Sequence, residues 1–245
     1  SVPESARYPR EYNAVNVGGT VSVLEAMRDV GVKRLVFTSS GAVYGNQSEQ
    51  PLHEDLPPDP LSPYAVSKLA SEHYIHTIGR LWNVETVTLR VFNAYGPGQQ
   101  LPVAHPPVVP QFIRQTLGKG SVVIHGSGDQ TRDFVYVDDV IDALLLASEK
   151  GGNRGVIQIG SEVPTSIKCL AETVANISGK NIRIQFDESK PTGDIGRISN
   201  CERARQILGW QAKTALEEGV RRTYDWIRTD LARKYGASSQ SLPAV

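Results

Sequence analysis

The sequence predicts an α/β protein with a doubly wound parallel sheet, incomplete at its amino-terminal end, and a smaller α/β region on its carboxyl-terminal side. The apolar run Leu35–Phe37 opens into small hydroxyl residues, which is typical of a buried parallel strand that ends at a binding site. Helical patterns separate it from further strand patterns at Val87–Val91 and 155–160, and this alternation favours a parallel sheet. With 245 residues and 40% hydrophobic side chains, the chain suits one large domain or one and a half.

The first long helix is predicted over residues 9–29, where valine and leucine recur at helical spacing, and Gly31 ends it. Gly18 and Gly19 lie inside this pattern. Glycine in a helix is costly unless something packs closely against it, so the pair predicts a tight contact between this helix and the sheet.

A second helix begins at Ser62 and Pro63, which are suited to the N-cap and the first helical position. Tyr64 and Lys68 are four positions apart, so they share one face of this helix. A lysine ammonium beside a phenol stabilises the phenolate and lowers the phenol pKa, which creates an acid/base that works near neutrality. A serine at the end of the preceding strand can hydrogen-bond the same substrate oxygen. The stretch therefore predicts a catalytic Ser–Tyr–Lys group, against the alternative of an ordinary solvated helix face.

The rest of the chain continues the alternation. Its patterns predict a helix ending at Gly118, a strand after it, a helix beginning at Asp138, a helix with Ile167, Leu170, Val174 and Ile177 on one stripe, a short strand over 181–186, a helix capped by Asn200, and a long helix over 215–234 with Val220, Tyr224 and Ile227 inward. The small, polar tail from Gly236 is predicted to be flexible.

Charge and composition exclude several classes of protein. The chain carries 26 basic and 26 acidic residues, so we expect no nucleic-acid partner. It has no apolar run long enough to span a bilayer and no signal-peptide pattern at its start, so we expect no membrane partner. Cys169 and Cys201 lack the spacing of a metal or redox motif, so we expect no metal site and a reducing, cytoplasmic location.

Two segments, TSSGAVYG and SPYAVSK, placed on a strand and the following helix, resemble the extended short-chain dehydrogenase/reductase family. That family comprises the NAD-dependent nucleotide-sugar epimerases and dehydratases, and the likeness covers nearly the whole chain. The resemblance implies NAD as cofactor, a nucleotide-sugar substrate such as a UDP-sugar, and a homodimer for the full-length protein. Its UDP-glucose 4-epimerase-like members are the most similar.

The resemblance also implies which residues act. Counting back from the VYG triplet places the family's catalytic and substrate-binding serine at Ser40, with Ser39 as the runner-up. The implied catalytic group is Ser40, Tyr64 and Lys68. The implied cofactor-binding residues are Asn16, Ser39, Tyr64 and Lys68. For Asn16, a structural bridging amide is an equal alternative.

Two later motifs resemble the family's substrate-binding segments. Asn93 matches the asparagine of the LRVFNAYGPG segment that meets the substrate, although it could simply turn the chain. Arg132, in GDQTRDFVYVDD, matches the arginine that grips the nucleotide diphosphate, a role that suits the two parallel donors of a guanidinium. Asp133 is expected to orient that arginine or the turn.

The two residues after the serine limit the reactions that the chain is expected to catalyse. The 4,6-dehydratases of the family carry an acidic pair where this chain has Gly41 and Ala42, and neither residue can supply the proton acid and carbon base of an elimination. The expected function is therefore epimerisation of a UDP-hexose at C4 through a transient 4-keto sugar. A nucleotide-sugar reductase or dehydratase, or a truncated non-catalytic chain, remain the alternatives.

The chain lacks the Gly-rich strand–turn–helix signature that cradles a dinucleotide pyrophosphate, so we expect it to be amino-terminally incomplete. By itself it should bind NAD weakly or not at all and turn over no sugar. The strand at Leu35 should then form an open sheet edge. The expected domains are 1–98, the remainder of the dinucleotide-binding domain; 99–235, a substrate region that returns to the main sheet near 130–160; and 236–245, the flexible tail.

Overall fold

The structure, a computed structural model, describes residues 1–99, 106–118, 120–190 and 196–235. Its helices are α1 (Val2–Arg7), α2 (Pro9–Tyr12), a π-helical segment (Asn13–Gly18), α3 (Gly19–Val30), a 3-10 turn (Gly41–Tyr44), α4 (Pro63–Trp82), α5 (Val108–Gly118), α6 (Val137–Lys150), α7 (Ile167–Ser178), α8 (Glu202–Leu208) and α9 (Leu216–Tyr235). Its strands are β1 (Arg34–Ser40), β2 (Glu85–Val91), β3 (Asn93–Tyr95), β4 (Ser121–His125), β5 (Thr131–Tyr136), β6 (Gly155–Ile159), β7 (Pro164–Ser166), β8 (Arg183–Asp187) and β9 (Gly196–Arg197). The predicted flexible tail over 236–245 lies outside the described residues.

These elements fall into two compact units. The first comprises Ser1–Phe92, Asp139–Glu162 and Ile198–Ala212. The second comprises Asn93–Asp138, Val163–Arg197 and the chain from Lys213 onward. The functional division predicted between residues 98 and 99 stays a prediction.

The first unit is built on a parallel sheet with the strand order β1-β2-β6. Helix α4 connects β1 to β2, and parallel neighbours require a crossover of this kind. Val87 and Leu89 of the central strand β2 are fully buried. The predicted α/β class with parallel strands is confirmed.

Strand β1 departs from its predicted burial. Leu35, Val36 and Phe37 are half-buried, although the strand is parallel as predicted. In the sheet of the described residues β1 lies at the edge, with β2 as its neighbour, so its apolar side chains keep partial contact with solvent. The expected open edge is confirmed, and the expected full burial is wrong.

The sequence signals at helix ends are largely confirmed. Ser62 caps α4, and its Oγ accepts a hydrogen bond from the backbone N–H three residues on, at 3.2 Å. Gly31 ends α3 at a φ of +77°, a left-handed conformation that glycine adopts without strain. The signal at Asn200 is one position early, because Cys201 is the N-cap of α8, although the Asn200 side chain still accepts from the N–H of Glu202 at 2.9 Å.

Gly18 and Gly19 do not make the predicted close contact with the sheet. They lie at the junction of the π-helical segment and α3, and a methyl group built on either would meet no described atom within 4 Å. The expectation of a tight helix–sheet contact is therefore wrong. The pair instead leaves a shallow, open stretch on the helix surface.

The second unit has its own core. Strand β5 pairs with β3 and β9 in parallel and with β7 in antiparallel orientation, and β4 pairs with β8 in parallel. Helices α5, α7 and α9 pack on one another through an apolar cluster. The predicted inward positions of α7 and α9 belong to it: Ile167, Leu170, Val174, Val220, Tyr224 and Ile227 are buried, and Ile177 packs against them.

Candidate active site

In the first unit, three successive residues at the carboxyl end of β1 interact with one face of α4. The carbonyl of Thr38 accepts a hydrogen bond from Nζ of Lys68 at 2.9 Å. The next hydroxyl, of Ser39, donates to the carboxylate of Glu72. Ser40 lies close enough to Tyr64 for its hydroxyl to act on the pKa of the phenol. Because positions 64, 68 and 72 are each one helical turn apart, all three contacts fall on the same face of α4.

The two candidate serines are therefore separated by the structure. Ser40 lies beside Tyr64, and its Oγ also accepts from the N–H of Ala42 at 3.1 Å, which starts the 3-10 turn. Ser39 is 5% exposed, and its hydroxyl is committed to Glu72. The Ser39 hydroxyl can therefore meet a cofactor only as an acceptor, because its proton is given to Glu72.

Gly41 is closely packed. A Cβ at this position would lie 3.2 Å from the ring of Phe92, which is tighter than side chains normally pack. The turn therefore leaves little room for a carboxylate at position 41, where the sequence has glycine.

The pKa of Tyr64 is raised above its ordinary value because the phenol is largely desolvated, and the hydroxyl of Ser40 opposes this only in part. The sequence predicts the opposite direction, on the assumption that the Lys68 ammonium lies beside the phenol. Instead, Nζ of Lys68 bonds the Thr38 carbonyl and lies 4.8 Å from the centre of the Phe37 ring. The predicted direction of the Tyr64 pKa is wrong for this arrangement of the site.

Burial lowers the pKa of Lys68, and the carboxylate of Glu72 opposes that shift. Glu72 is itself 2% exposed and forms a two-pronged ion pair with Arg90, which is 4% exposed. Nε of Arg90 donates to Oε1 at 3.0 Å, and Nη2 donates to Oε2 at 2.7 Å. Sequence reasoning missed both residues. The usable signals were a glutamate one turn after Lys68 and an arginine inside the strand pattern ETVTLRV, between Leu89 and Val91.

Asn16 bridges the π-helical segment to α4. Its Nδ2 donates to Oγ of Ser67 at 2.9 Å, and its carbonyl accepts from Ser71 at 3.0 Å. This is the bridging amide that the sequence leaves open, and π-helical turns occur often at functional sites. The predicted cofactor contact of Asn16 stays a prediction.

Tyr12 is a neighbour of Tyr64 that sequence reasoning also missed. The two rings meet edge to face, with centroids 6.4 Å apart and planes at 86°. The hydroxyl of Tyr12 donates to Glu4 at 3.2 Å, which ties α2 to α1. The start of the chain thus forms one wall beside Tyr64.

In the second unit, Asn93 and Arg132 line one cavity of about 230 Å³. The other lining residues are Val108, Gln111, Phe112, Val123, His125, Gln130 and Ile167. Nδ2 of Asn93 donates to the carbonyl of Asp133 at 3.0 Å, and Nη1 of Arg132 donates to that of Thr131 at 2.7 Å. Five of the nine lining residues are polar and four are apolar, a mixed lining that can both orient and bury part of a small molecule.

Gln130 adds an acceptor to this cavity. Its Nε2 donates to the carbonyl of His125 at 3.0 Å, which orients the amide. Its Oε1 is buried and has no hydrogen-bond partner among the described residues. A buried acceptor of this kind is costly until something donates to it.

No helix in the described ranges combines the length and apolar character needed to cross a membrane. No group of three or more His, Cys, Asp or Glu side chains in those ranges is arranged to hold a metal ion.

The model of the NAD dependent epimerase/dehydratase family matches residues 1–160. The chain is 38% identical over 231 residues to a UDP-glucose 4-epimerase of Mycolicibacterium smegmatis, covering 93% of this chain and 73% of that relative. Among solved structures, it resembles a UDP-glucose 4-epimerase of Thermotoga maritima with UDP-glucose, at a TM-score of 0.89 and 35% identity, covering 94% of this chain and 75% of that one. It also resembles a UDP-glucose 4-epimerase complex with NAD from Thermus thermophilus, at a TM-score of 0.83 and 33% identity, covering 93% and 74%.

The fold is thus Rossmann-like, with Ser40, Tyr64 and Lys68 grouped where β1 meets α4. The chain belongs to the NAD dependent epimerase/dehydratase family. The resemblance carried by TSSGAVYG and SPYAVSK is confirmed.

Proposed function

We propose that this protein is an NAD-dependent 4-epimerase of a UDP-hexose. The observation that carries the proposal is the grouping of Ser40, Tyr64 and Lys68 where β1 meets α4. The named activity of the relatives supports it, since similar chains are UDP-glucose 4-epimerases.

The residues present fit a nicotinamide cofactor. Thr38 uses one of the three N–H donors of the Lys68 ammonium, so two remain for the hydroxyls of a ribose. The phenol of Tyr64 offers a further donor and acceptor one turn away. We assign Asn16, Ser39, Tyr64 and Lys68 to this role. When bound, NAD supplies the hydride acceptor and donor of the reaction.

The proton chemistry falls to Tyr64. As the sugar C4 loses hydride, its 4-hydroxyl gives its proton to Tyr64, and the 4-keto sugar regains both after presenting its other face. Ser40 holds the reacting oxygen by a hydrogen bond. Burial favours the neutral phenol, so its phenolate form depends on the Lys68 ammonium turning toward it from the Thr38 carbonyl.

Asn93 and Arg132 are proposed to bind the nucleotide. Their shared cavity has the mixed lining that a base, a ribose and a diphosphate require. The guanidinium of Arg132 can donate two parallel hydrogen bonds to diphosphate oxygens. The orphaned Oε1 of Gln130 can accept from an N–H or O–H of the nucleotide.

Product identity tests the proposal. The full-length protein is incubated with NAD and, in separate reactions, UDP-glucose, UDP-N-acetylglucosamine and dTDP-glucose, and the products are separated by chromatography and mass. We expect the 4-epimer of a UDP-sugar at unchanged mass. A product lighter by one water would identify a dehydratase, and net consumption of reduced cofactor would identify a reductase; either result overturns the epimerase assignment.

We also propose a homodimer formed through α3 and α4. Each helix, with the segment preceding α3, exposes an apolar trio spaced about two turns apart on one face: Val15, Val23 and Val30, and Val66, Tyr74 and Leu81. The open surface at Gly18 and Gly19 would admit another helix closely. Light scattering should give twice the chain mass, and Leu81→Glu should return it to the monomer; a monomeric parent would exclude the dimer.

We place the protein in the cytoplasm. Cys169 is an exposed thiol and Cys201 a buried one, neither in a disulfide, and exposed thiols persist in reducing compartments. Fractionation of the producing cell tests this.

A further inference from the structure

Glu72 and Arg90 form a buried ion pair that the proposed chemistry does not use. Both side chains lie almost wholly out of solvent, and Ser39 joins them through its hydroxyl. The free energy needed to remove two charges from water offsets much of their mutual attraction. Such a pair therefore adds little net stability compared with apolar residues of the same size. What it does supply is fixed geometry, because each oxygen of the carboxylate is held by a directed donor.

The pair sits where three elements meet. Glu72 lies on α4, one turn after Lys68, and Arg90 lies on β2 directly beside Ser39 of β1 in the strand register. The carboxylate therefore ties the carboxyl end of β1 to both β2 and α4. The residues on either side of Ser39 are the ones that contact Lys68 and Tyr64.

We propose that Glu72, held by Arg90, is a positioning residue of the epimerase reaction that acts through Lys68 and Ser40. It fixes the end of β1 against α4, so that the Thr38 carbonyl and the Ser40 hydroxyl meet Lys68 and Tyr64, and it places a negative charge one helical turn from the lysine ammonium. This role rests on the proposed function.

The electrostatics around Lys68 agree with the geometry. Glu72 and Tyr64 flank it on α4, the Phe37 ring and the Thr38 carbonyl face it from β1, and Arg90 on β2 is neutralised by Glu72. Burial lowers the pKa of Lys68, and Glu72 opposes this. Removing the carboxylate should lower that pKa further and leave Arg90 as an uncompensated like charge, which acts in the same direction.

The test compares Glu72→Gln with the double variant Glu72→Gln/Arg90→Gln, which leaves no buried charge and keeps the experiment open if the single variant fails to fold. The matched control is Glu85→Gln, because Arg34 and Glu85 pair at the other end of the same two strands, with Nε and Oε2 2.6 Å apart. In the two Glu72 variants we expect kcat to fall more than tenfold and KM for the UDP-sugar to change less than about threefold. The alkaline limb of the kcat profile should move to lower pH in Glu72→Gln, where Arg90 keeps its charge, and less in the double variant, where both charges are gone. The control should keep the parent values.

A second readout does not depend on turnover. Competitive acetylation of Lys68 across pH, followed by mass spectrometry, reports its pKa in any folded variant. If the parent epimerises nothing, the proposed function fails, while a lowered Lys68 pKa in the Glu72 variants would still support the placement of the charge. A folded double variant with parental kcat, pH profile and Lys68 labelling would overturn the proposal and leave the pair a structural feature only.

Discussion

An arginine–glutamate pair lies near each end of the β1–β2 strand pair, and the two pairs differ chiefly in exposure. Arg90 of β2 pairs with Glu72 of α4, and Arg34 of β1 pairs with Glu85 of β2. At the carboxyl end, the side chains of Arg90 and Glu72 are 4% and 3% exposed. At the amino end, the side chains of Arg34 and Glu85 are 39% and 45% exposed. Arg34 also donates to the carbonyls of Ser148 and Glu149 at the end of α6.

The two pairs have the same charges, so their different effects come from burial and geometry. Water and salt weaken the exposed pair, which serves mainly to close the strand start and the helix end. The buried pair is hardly screened and organises the residues around it, including Ser39 and the neighbours of Lys68. The same two residue types thus support the proposed chemistry at one end and only local structure at the other.

The largest effect should come from breaking the chemistry next to the buried pair while sparing the pair itself. Tyr64→Phe should lower kcat by roughly 10²–10⁴-fold, which is the usual rate contribution of a general acid/base. The melting temperature should change little. Tyr8→Phe, at an exposed tyrosine outside α4 and the proposed dimer surface, is the control and should match the parent. Steady-state epimerase assays measure both; activity of the Tyr64 variant within a few-fold of the parent would remove it from the proton transfer.

The second prediction concerns the free energy of unfolding and the buried pair of Glu72 and Arg90. Glu72→Gln leaves Arg90 charged and buried, so urea unfolding should show a loss of about 3–5 kcal/mol. Replacing both partners with neutral residues should recover part of that loss, because no orphaned charge remains. A single variant that unfolds at the parental urea concentration would mean that the pair is solvated in solution, contrary to its burial here.

A third prediction concerns Arg132, which lines a cavity of the second unit. Arg132→Ala should weaken UDP binding by about 10–100-fold, as expected for one or two charged hydrogen bonds. Arg132→Lys should not restore it, because a lysine lacks the paired donors of a guanidinium. Calorimetric titration with UDP measures both, and unchanged affinity in the two variants would exclude the diphosphate contact.

The burial of groups around Arg90 should also affect the free energy of unfolding in alkaline solution. Burial raises the pKa of Tyr44, whose ring lies 4.7 Å from the Arg90 guanidinium, to about 12, although Arg90 pulls it down. Since this pKa exceeds the ordinary value of 10, the neutral phenol stabilises the fold below pH 10, and that contribution is lost as pH rises toward 12. Tyr44→Phe should therefore lose less stability than the parent between pH 10 and 12; parallel losses in chemical denaturation would count against the burial of the phenol.

The smallest effect is expected at the exposed end. Glu85→Gln should cost at most about 1 kcal/mol, and 1 M salt should abolish the difference from the parent. The loss in Glu72→Gln should persist in the same salt, because a buried pair is screened little. Equal salt sensitivity of the two variants would erase the distinction between the two ends.

Much of this fold could be predicted because its signals are local. Ser62 and Pro63 start α4 through contacts within one turn, and Gly31 ends α3 through its own backbone freedom. The apolar stripe of α7 follows from helical period alone. Tyr64 and Lys68 were placed on one face by the same reasoning, since four positions make about one turn.

Other features needed the tertiary structure. The choice between Ser39 and Ser40 depended on which side chain met Glu72 and which met Tyr64 at the end of β1. The open surface at Gly18 and Gly19 depended on what lay nearby, which local cost alone could not tell. The direction of the Tyr64 pKa depended on burial and on the choice of Thr38 as the partner of Lys68.

By itself, the sequence determined the α/β class, the family, the helix boundaries near the site and the catalytic candidates, because period, caps and short motifs act over a few neighbouring residues. Only the tertiary structure brought Glu72 and Arg90 together, 18 positions apart on a helix and the following strand, behind Ser39. Their pairing required the register of β1 on β2 and the packing of α4 at once. The energies of buried charges depend on distance and solvent exclusion in three dimensions, and neither is encoded in local spacing.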